Sequence, residues 1–262
     1  MNNNGPQRII CLTEETTETL YLLGEQDRIV GISGYTVRPP EARSKPKISA
    51  FTSAKTEQIL ALKPDLVIGF SNLQAAIASD LIKAGVNVLV FNQRSIEEIL
   101  QTILTVARIV AAEQRGLKLA ADFRAGMQLA REAAAKLPRH PRVYFEEWMD
   151  PLISGIRWVE ELIEIAGGET VFPQLRFEHC AKNRVVTSEQ VVAANPEIII
   201  ASWCGRKVVK EKITQRDGWG AIDAVRNGHI FEIKSCDILQ PGPASLSDGL
   251  RQLQHIIAQV AA

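Results

Sequence analysis

Hydrophobic and polar positions follow two alternating periods along the first third of the chain. Short aliphatic runs of strand length occupy residues 8–12, 28–33, 47–51, 65–70 and 86–91. Between them, residues 14–23, 56–62 and 75–84 have helical spacing, and Gly24, Pro64 and Gly85 end these stretches. Strands that alternate with helices predict a parallel sheet with helices on its faces.

The pattern then becomes purely helical. Residues 95–137 contain neither proline nor a strand-like run, and their apolar residues recur at helical spacing. A single helix over this stretch would extend roughly 60 Å. Two stacked helices and one rigid spine both fit the pattern, and Gly116 is a candidate joint or bend.

The strand–helix alternation restarts after Pro141, and this second part of the chain contains a segment that resembles an earlier one. TEQILALKPDLVIGFS begins at Thr56, and SEQVVAANPEIIIASW begins at Ser188. Both have a hydroxyl, Glu, Gln, aliphatics, Pro, an acid and an aliphatic run in the same order. The repeat predicts an α/β protein of two similar lobes, residues 1–94 and 141–262, each with a central, mostly parallel sheet flanked by helices. Residues 95–140 form the long helical connector.

Composition excludes several classes of function. The formal net charge is zero, so we expect no nucleic-acid partner. No aliphatic run is long enough to span a membrane. We also expect the protein to be a monomer. The N-terminus lacks the pattern of a secretory signal, which predicts a cytoplasmic protein as written, or a periplasmic one if a native signal has been removed.

Catalytic and metal-binding motifs are missing from the sequence. It has no glycine-rich phosphate loop, no GxSxG and no HExxH, which argues against an enzyme. Its four cysteines form no CxxC pair, and its four histidines are scattered. We therefore predict no catalytic residue, no metal site and no intrinsic cofactor.

Aromatic residues gather where the predicted strands end, although only 6% of the chain is aromatic. Ligands of open parallel sheets bind beyond the carboxyl ends of the strands. Aromatic side chains facing a gap between two lobes suit a bulky, mostly apolar ligand with polar edges. The candidates are Tyr35, Phe51, Phe70, Trp148 and Trp203. For Phe51 and Phe70 an ordinary core position is the alternative.

An ordered set of segments resembles a known family. The set comprises RIICLTEETTETLYLLG, RIVGISGYTVRPPEA, TEQILALKPDLVIGFS, AGVNVLVF followed by SIEEIL, PLISG, ELIEIAGGETVF, TSEQVVAANPEIII and GWGAIDAVRNGHIFEI with LQPGPASLSDGLRQL. It is similar to the solute-binding proteins of ABC importers whose lobes are joined by a long helix (class III), and most similar to their cobalamin-binding branch. The resemblance implies ligand contacts at Tyr35, Phe51 and Phe70.

The resemblance also implies a function and a partner. We expect non-catalytic binding of a cobalamin-like corrinoid, with packing from the five aromatic residues and polar contacts from Arg206 and Glu15. The family docks on an ABC permease through one glutamate per lobe, which falls on Glu57 and Glu189. The first alternative to a corrinoid-binding protein is a protein that binds haem or a ferric siderophore. The second alternative is an enzyme, a two-lobed α/β transferase.

One segment departs from the family pattern. In this family the residues that follow the first strand are usually small and include a proline, whereas this chain has TEETTET at that position. Glu14, Glu15 and Glu18 either cap the first helix, or one of the first two hydrogen-bonds ligand amides. The missing signal is a second departure, and it keeps a cytoplasmic corrinoid carrier open beside an importer component.

Overall fold

The computed structural model describes residues 5–262. The chain divides into two compact units. Unit 1 comprises the described residues up to Gln93 together with Glu97–Asp122, and unit 2 comprises Arg94–Ile96 together with Phe123–Ala262. Each unit is built on its own five-stranded sheet, and the α/β prediction is confirmed.

Unit 1 has a fully parallel sheet. Its strands and first helices are β1 (Ile9–Cys11), α1 (Glu14–Leu22), β2 (Ile29–Ser33), β3 (Lys47–Ser49), α2 (Thr56–Ala61), β4 (Leu66–Phe70), α3 (Ala75–Lys83) and β5 (Val88–Phe91). The strand order is β3-β2-β1-β4-β5. The central strand β1 is buried on both faces: Ile9 and Cys11 belong to one core, and Ile10 and Leu12 to another. Its continuous apolar run follows from that burial.

The helical segment forms two helices, α4 (Ile96–Ile109) and α5 (Glu113–Ala134). The break lies at Ala111, which has a left-handed φ of 57°. Gly116 lies inside α5, where an added Cβ would stand 2.3 Å from the Ala107 Cβ. Gly116 therefore permits close approach of α5 to α4 and is not the joint.

Unit 2 has a mixed sheet. Its elements are β6 (Arg142–Met149), β7 (Leu152–Ser154), α6 (Arg157–Ile165), β8 (Glu169–Thr170), α7 (Ser188–Ala194), β9 (Ile198–Ala201), α8 (Glu211–Thr214), α9 (Asp223–Arg226), β10 (Ile230–Glu232), α10 (Ser235–Ile238) and α11 (Leu250–Ala261). The order is β10-β9-β6-β7, and β8 also pairs with β6. Only β7 runs antiparallel, and the sequence pattern did not predict it.

The two copies of the repeated segment, which begin at Thr56 and Ser188, adopt the same conformation. In both copies a short helix ends in a residue with left-handed φ just before the proline, 48° at Lys63 and 42° at Asn195. The following strand then pairs in parallel with the central strand of its unit, β4 with β1 and β9 with β6.

An arginine at the start of each central strand binds the end of the repeated helix. The Arg8 guanidinium donates to the Leu62 and Lys63 carbonyls, and the Arg142 guanidinium donates to the Asn195 carbonyl. These bonds satisfy carbonyls that have no partner within the helix.

The acid after the proline completes this module. Asp65 accepts a hydrogen bond from the Arg8 backbone N–H at 2.9 Å, and Glu197 accepts one from the Arg142 backbone N–H at 3.0 Å. The acid that follows the proline and the arginine at the central strand therefore have the same structural roles in both units.

Candidate functional site

In unit 1 a buried glutamine connects the strand ends where aromatic candidates lie. Gln74 is 0% exposed. Its Nε2 donates to the Phe51 carbonyl at 2.9 Å and to the Leu12 carbonyl at 3.3 Å, and its Oε1 accepts from the Phe70 N–H at 2.8 Å. An added Cβ at Gly69 would stand 2.7 Å from Oε1, so glycine makes room for this side chain.

Gln74 was missed by the sequence analysis. A glutamine near a helix start gives no signal of burial, and only Gly69 inside an apolar strand hinted at a close approach. The amide ties the backbone at Phe51 and Phe70 to the end of β1. The structure thus brings these two predicted positions together through one side chain.

The three unit 1 aromatics differ in exposure. Tyr35 is 57% exposed, in the loop after β2. Phe51 is half-buried, and Phe70 is buried at the last position of β4. Tyr35 therefore has the most ring surface to offer a ligand, and its predicted role as a contact stays a prediction, as do those of Phe51 and Phe70.

The polar segment after β1 is buried throughout. Every residue of Thr13–Thr19 is buried, including Glu14, Glu15 and Glu18. Thr13 holds the N-cap position of α1, but its side chain makes no capping bond. Its hydroxyl donates instead to Glu15 Oε1 at 2.7 Å. Simple capping does not explain this segment.

Burial raises the pKa of two of these carboxyl groups, those of Glu14 and Glu15, into the neutral pH range. It raises the pKa of Glu14 to about 8, with a further increase from the neighbouring Glu15 charge. It raises the pKa of Glu15 to about 7, against the lowering effect of the Thr13 hydrogen bond. Both groups can therefore hold a proton at neutral pH and act as donors as well as acceptors.

In unit 2 the structure brings two predicted site residues together. The Arg206 guanidinium lies over the Trp148 ring, 5.3 Å from its centroid. Arg206 is exposed and Trp148 is half-buried. The Trp148 indole N–H donates to the Asp150 carbonyl at 2.9 Å, which fixes the ring. The pair presents an aromatic surface with a cation on it.

Trp203 lies in a different environment from the one expected. It is 2% exposed, belongs to the core of unit 2, and donates its indole N–H to Glu146 Oε1 at 3.0 Å. The same carboxylate binds the Arg216 guanidinium at 2.5 and 3.0 Å. A ring enclosed in this way offers a ligand little surface, so we expect Trp203 to support the site from beneath.

The two predicted docking glutamates occupy equivalent positions. Glu57 and Glu189 are each the second residue of their helix, α2 and α7, and both are exposed. The Thr187 side-chain hydrogen bond holds the pKa of Glu189 below its usual value. Thr187 and Gln190 form a capping box at the start of α7, whereas Lys55 stands at the corresponding position before α2.

Within residues 5–262, all four cysteines are free and no three His, Cys, Asp or Glu side chains are placed to hold a metal ion. None of the helices in this range is both long enough and apolar enough to cross a membrane.

Comparison with known proteins identifies the family. Residues 9–236 match the model of the periplasmic binding protein family. The vitamin B12-binding protein of Vibrio parahaemolyticus is 28% identical over 258 residues, covering 97% of this chain and 91% of the relative. An uncharacterised ABC transporter substrate-binding lipoprotein of Bacillus subtilis, YvrC, is 26% identical over 96% of this chain and 80% of its own length.

Among solved structures, the apo periplasmic heme-binding protein RhuT from Roseiflexus superposes with a TM-score of 0.85 and 25% identity, covering 98% of this chain and 100% of RhuT. The family consists of binding proteins, which excludes the transferase alternative. The family match over most of the chain, the two α/β units and the aromatic strand ends agree, and the chain belongs to the periplasmic binding protein family, whose members bind solutes without catalysis.

Proposed function

We propose that this protein binds a cobalamin-like corrinoid at the carboxyl ends of its strands, as the substrate-binding component of an ABC importer or as a corrinoid carrier. The observation that carries the proposal is the Arg206–Trp148 pair, which combines a flat apolar surface with a cation. A corrinoid has a large, partly apolar ring system and, in complete cobalamins, a phosphate in its nucleotide loop. The vitamin B12-binding relative supports the same class of ligand.

The other predicted contacts complete the proposed site. Tyr35, Phe51 and Phe70 supply aromatic area in unit 1, and Glu15 supplies a polar group there. Trp203 holds the unit 2 strand end in position through Glu146. Bulky ligands are bound in this way by apolar surfaces with a few placed polar groups.

The direct test is titration of the purified protein with cyanocobalamin, aquocobalamin and haemin, followed by absorbance and by heat. We expect cyanocobalamin to bind at micromolar concentration or below. Failure of every corrinoid to bind at these concentrations would overturn the proposal.

A matched pair of variants tests the site itself. Trp148→Ala removes the stacked ring, and we expect cyanocobalamin affinity to fall about tenfold or more, since an aromatic contact contributes about 0.5–1.5 kcal/mol in addition to the apolar area that it buries. Phe177→Ala is the control, because Arg157 stacks on Phe177 at the same 5.3 Å, but Phe177 ends a 3₁₀ helix and is not one of the predicted ligand contacts. Equal losses in the two variants would contradict a specific role for Trp148.

Haem is the second candidate, and the exposed phenol of Tyr35 favours it, because tyrosine can ligate haem iron. The heme-binding structural relative points the same way. The same titration decides: binding of haemin with loss of its affinity in Tyr35→Phe, and no binding of cyanocobalamin, would replace the corrinoid by haem.

Glu57 and Glu189 are proposed as the contacts to a permease. Both carboxylates are exposed, and neither has an ion-pair partner among residues 5–262. The double variant Glu57→Ala, Glu189→Ala should retain cyanocobalamin affinity within about twofold. It should fail to stimulate ATP hydrolysis by a permease–ATPase complex encoded beside its gene. A large loss of ligand affinity would contradict this assignment.

A further inference from the structure

Unit 1 buries carboxyl groups next to the end of its central strand without giving them a cation. Among the described residues, no lysine or arginine nitrogen lies within 4 Å of the Glu14 or Glu15 carboxyl. The neighbouring arginine, Arg38, binds Glu18 instead, at 3.1 Å. The fold therefore satisfies one acid of this segment with an ion pair and leaves the other two without one.

Two buried polar atoms here have no hydrogen-bond partner. They are Glu15 Oε2 and the hydroxyl oxygen of Thr36, and these residues are 3% and 1% exposed. Thr36 belongs to a different segment, the loop after β2. That loop reaches the acids, because the Val37 backbone N–H donates to the Glu14 carboxyl. Buried polar atoms normally have partners, so each of these two atoms keeps a hydrogen bond that a ligand group can supply.

We propose that the first turn of α1 and Thr36 form a subsite for a primary carboxamide of the ligand. This proposal rests on the corrinoid-binding function proposed above, and it names the feature of the corrinoid that is recognised. A carboxamide N–H would donate to Glu15 Oε2, and its carbonyl would accept from the Thr36 hydroxyl. Neither atom is exposed to water, so ligand binding turns at least one of these side chains.

The protonation of the acids fits this chemistry. Since burial raises the pKa of Glu14 to about 8 and of Glu15 to about 7, a carboxylic acid is available near neutral pH. Glu15 can pair with a carboxamide in either protonation state, because its carboxylate accepts from the N–H and its protonated form donates to the carbonyl. A ligand carboxylate offers no N–H, and it is repelled by whichever of Glu14, Glu15 and Glu18 is ionised. Corrinoids are rimmed with primary carboxamides, whereas haem carries carboxylates.

Three derivatives of cyanocobalamin, each with one propionamide side chain hydrolysed to a carboxylate, make a sharp test. They differ from the parent by a single functional group. For wild-type protein we expect at least one derivative to bind about tenfold more weakly than cyanocobalamin. Equal affinity for all four compounds would overturn the subsite and leave the corrinoid function standing. Failure of the wild type to bind any of them would overturn both.

Glu15→Gln assigns the discrimination to α1. The amide can donate to a ligand carboxylate, so this variant should bind the disfavoured derivative about tenfold more tightly than the wild type does. Glu14→Gln is the second variant and is used if Glu15→Gln lacks the circular dichroism spectrum of the native protein. Glu132→Gln, on the exposed face of α5, is the control for lost charge. An unchanged preference in both α1 variants, or an equal change in the control, would overturn the proposal.

Discussion

The two units treat buried carboxyl groups near their central strands in opposite ways. In unit 2, Glu146 is completely buried on β6 and receives two hydrogen bonds from Arg216 and one from Trp203. In unit 1, Glu14 and Glu15 follow β1, are buried, and have no such cation. The architecture is similar, and the electrostatics differ.

This difference distinguishes buried acids that stabilise the fold from buried acids that can still bind another molecule. A buried carboxylate with a bidentate arginine has its charge and its lone pairs satisfied, so it holds elements in place. A buried carboxyl without a cation keeps its proton more easily, and it retains hydrogen-bonding capacity for another molecule. We therefore expect substitutions at the Glu146 cluster to change stability, and substitutions at Glu14 and Glu15 to change ligand preference.

The largest effect is expected when the Glu146 pair is broken. Arg216→Ala leaves a fully buried carboxylate without its cation, which should lower the free energy of unfolding by about 3–5 kcal/mol. Urea denaturation measures the change. Adding Glu146→Gln should recover part of the loss, because the charge is then gone. A loss below about 1 kcal/mol in the single variant would show that the pair is not structural.

Gln74 is the unit 1 counterpart, a neutral group that ties strand ends together. Gln74→Ala removes three hydrogen bonds and leaves two carbonyls and an N–H buried, so we expect a loss of about 2–4 kcal/mol. The exposed Gln58→Ala on α2 is the control and should change stability by less than about 0.5 kcal/mol. Similar losses in both variants would contradict the connecting role of Gln74.

Glu160 is the acid of unit 2 that resembles those of unit 1. It is buried, its Oε2 has no hydrogen-bond partner, and burial raises its pKa to about 8, against the lowering effect of the Thr170 hydrogen bond. The folded state holds this proton, whereas the unfolded state releases it near the ordinary glutamate pKa of 4.5. Its contribution to stability is thus fully present below that pH and is lost as pH rises through 8.

Glu160→Gln should abolish this pH dependence. Between pH 5 and 8 the wild type should lose up to about 1.4 kcal/mol per pH unit relative to the variant. Unfolding of both proteins at several pH values gives the difference. Parallel curves for the two proteins would mean that Glu160 has an ordinary pKa.

The smallest effect distinguishes the two copies of the repeated helix. Thr187→Ala removes the cap of α7 and should lower the free energy of unfolding by about 1 kcal/mol. Lys55→Thr introduces the same cap at α2 and should raise it by up to about 1 kcal/mol. Thermal unfolding can detect both changes. A destabilising Lys55→Thr would show that the two helix starts are not equivalent.

Much of the fold was predictable, because strands that are buried on both faces of a sheet have a recognisable apolar sequence. Runs such as IIC and IIIA form strands that pair in parallel on both sides, and they read as continuous apolar stretches. The strand β7 was not predictable, since three residues after Pro151 form a strand only by pairing with Glu146–Met149. The connector was predicted as helical, but its break at Ala111 depends on a backbone angle that no residue type there requires.

The candidate site was predictable in location more than in detail. Topology fixes where strands end, so Tyr35, Phe51, Phe70 and Trp148 were found at strand ends as expected. The direction of a side chain is not fixed in this way. Trp203 turned inward because Glu146, far away in the sequence, offers its indole N–H an acceptor.

The sequence by itself determined the repeated architecture, because the helix–proline–acid–strand unit is a local pattern with local hydrogen bonds and a continuous apolar strand. It also determined which residues stand at the strand ends. Only the tertiary structure decided which buried acids receive an arginine, since Arg216 reaches Glu146 through folding, while no lysine or arginine forms an ion pair with Glu14 or Glu15 among the described residues. Charge pairing over long sequence separations leaves no pattern in a sequence, yet it divides the groups that stabilise this protein from those left available to its ligand.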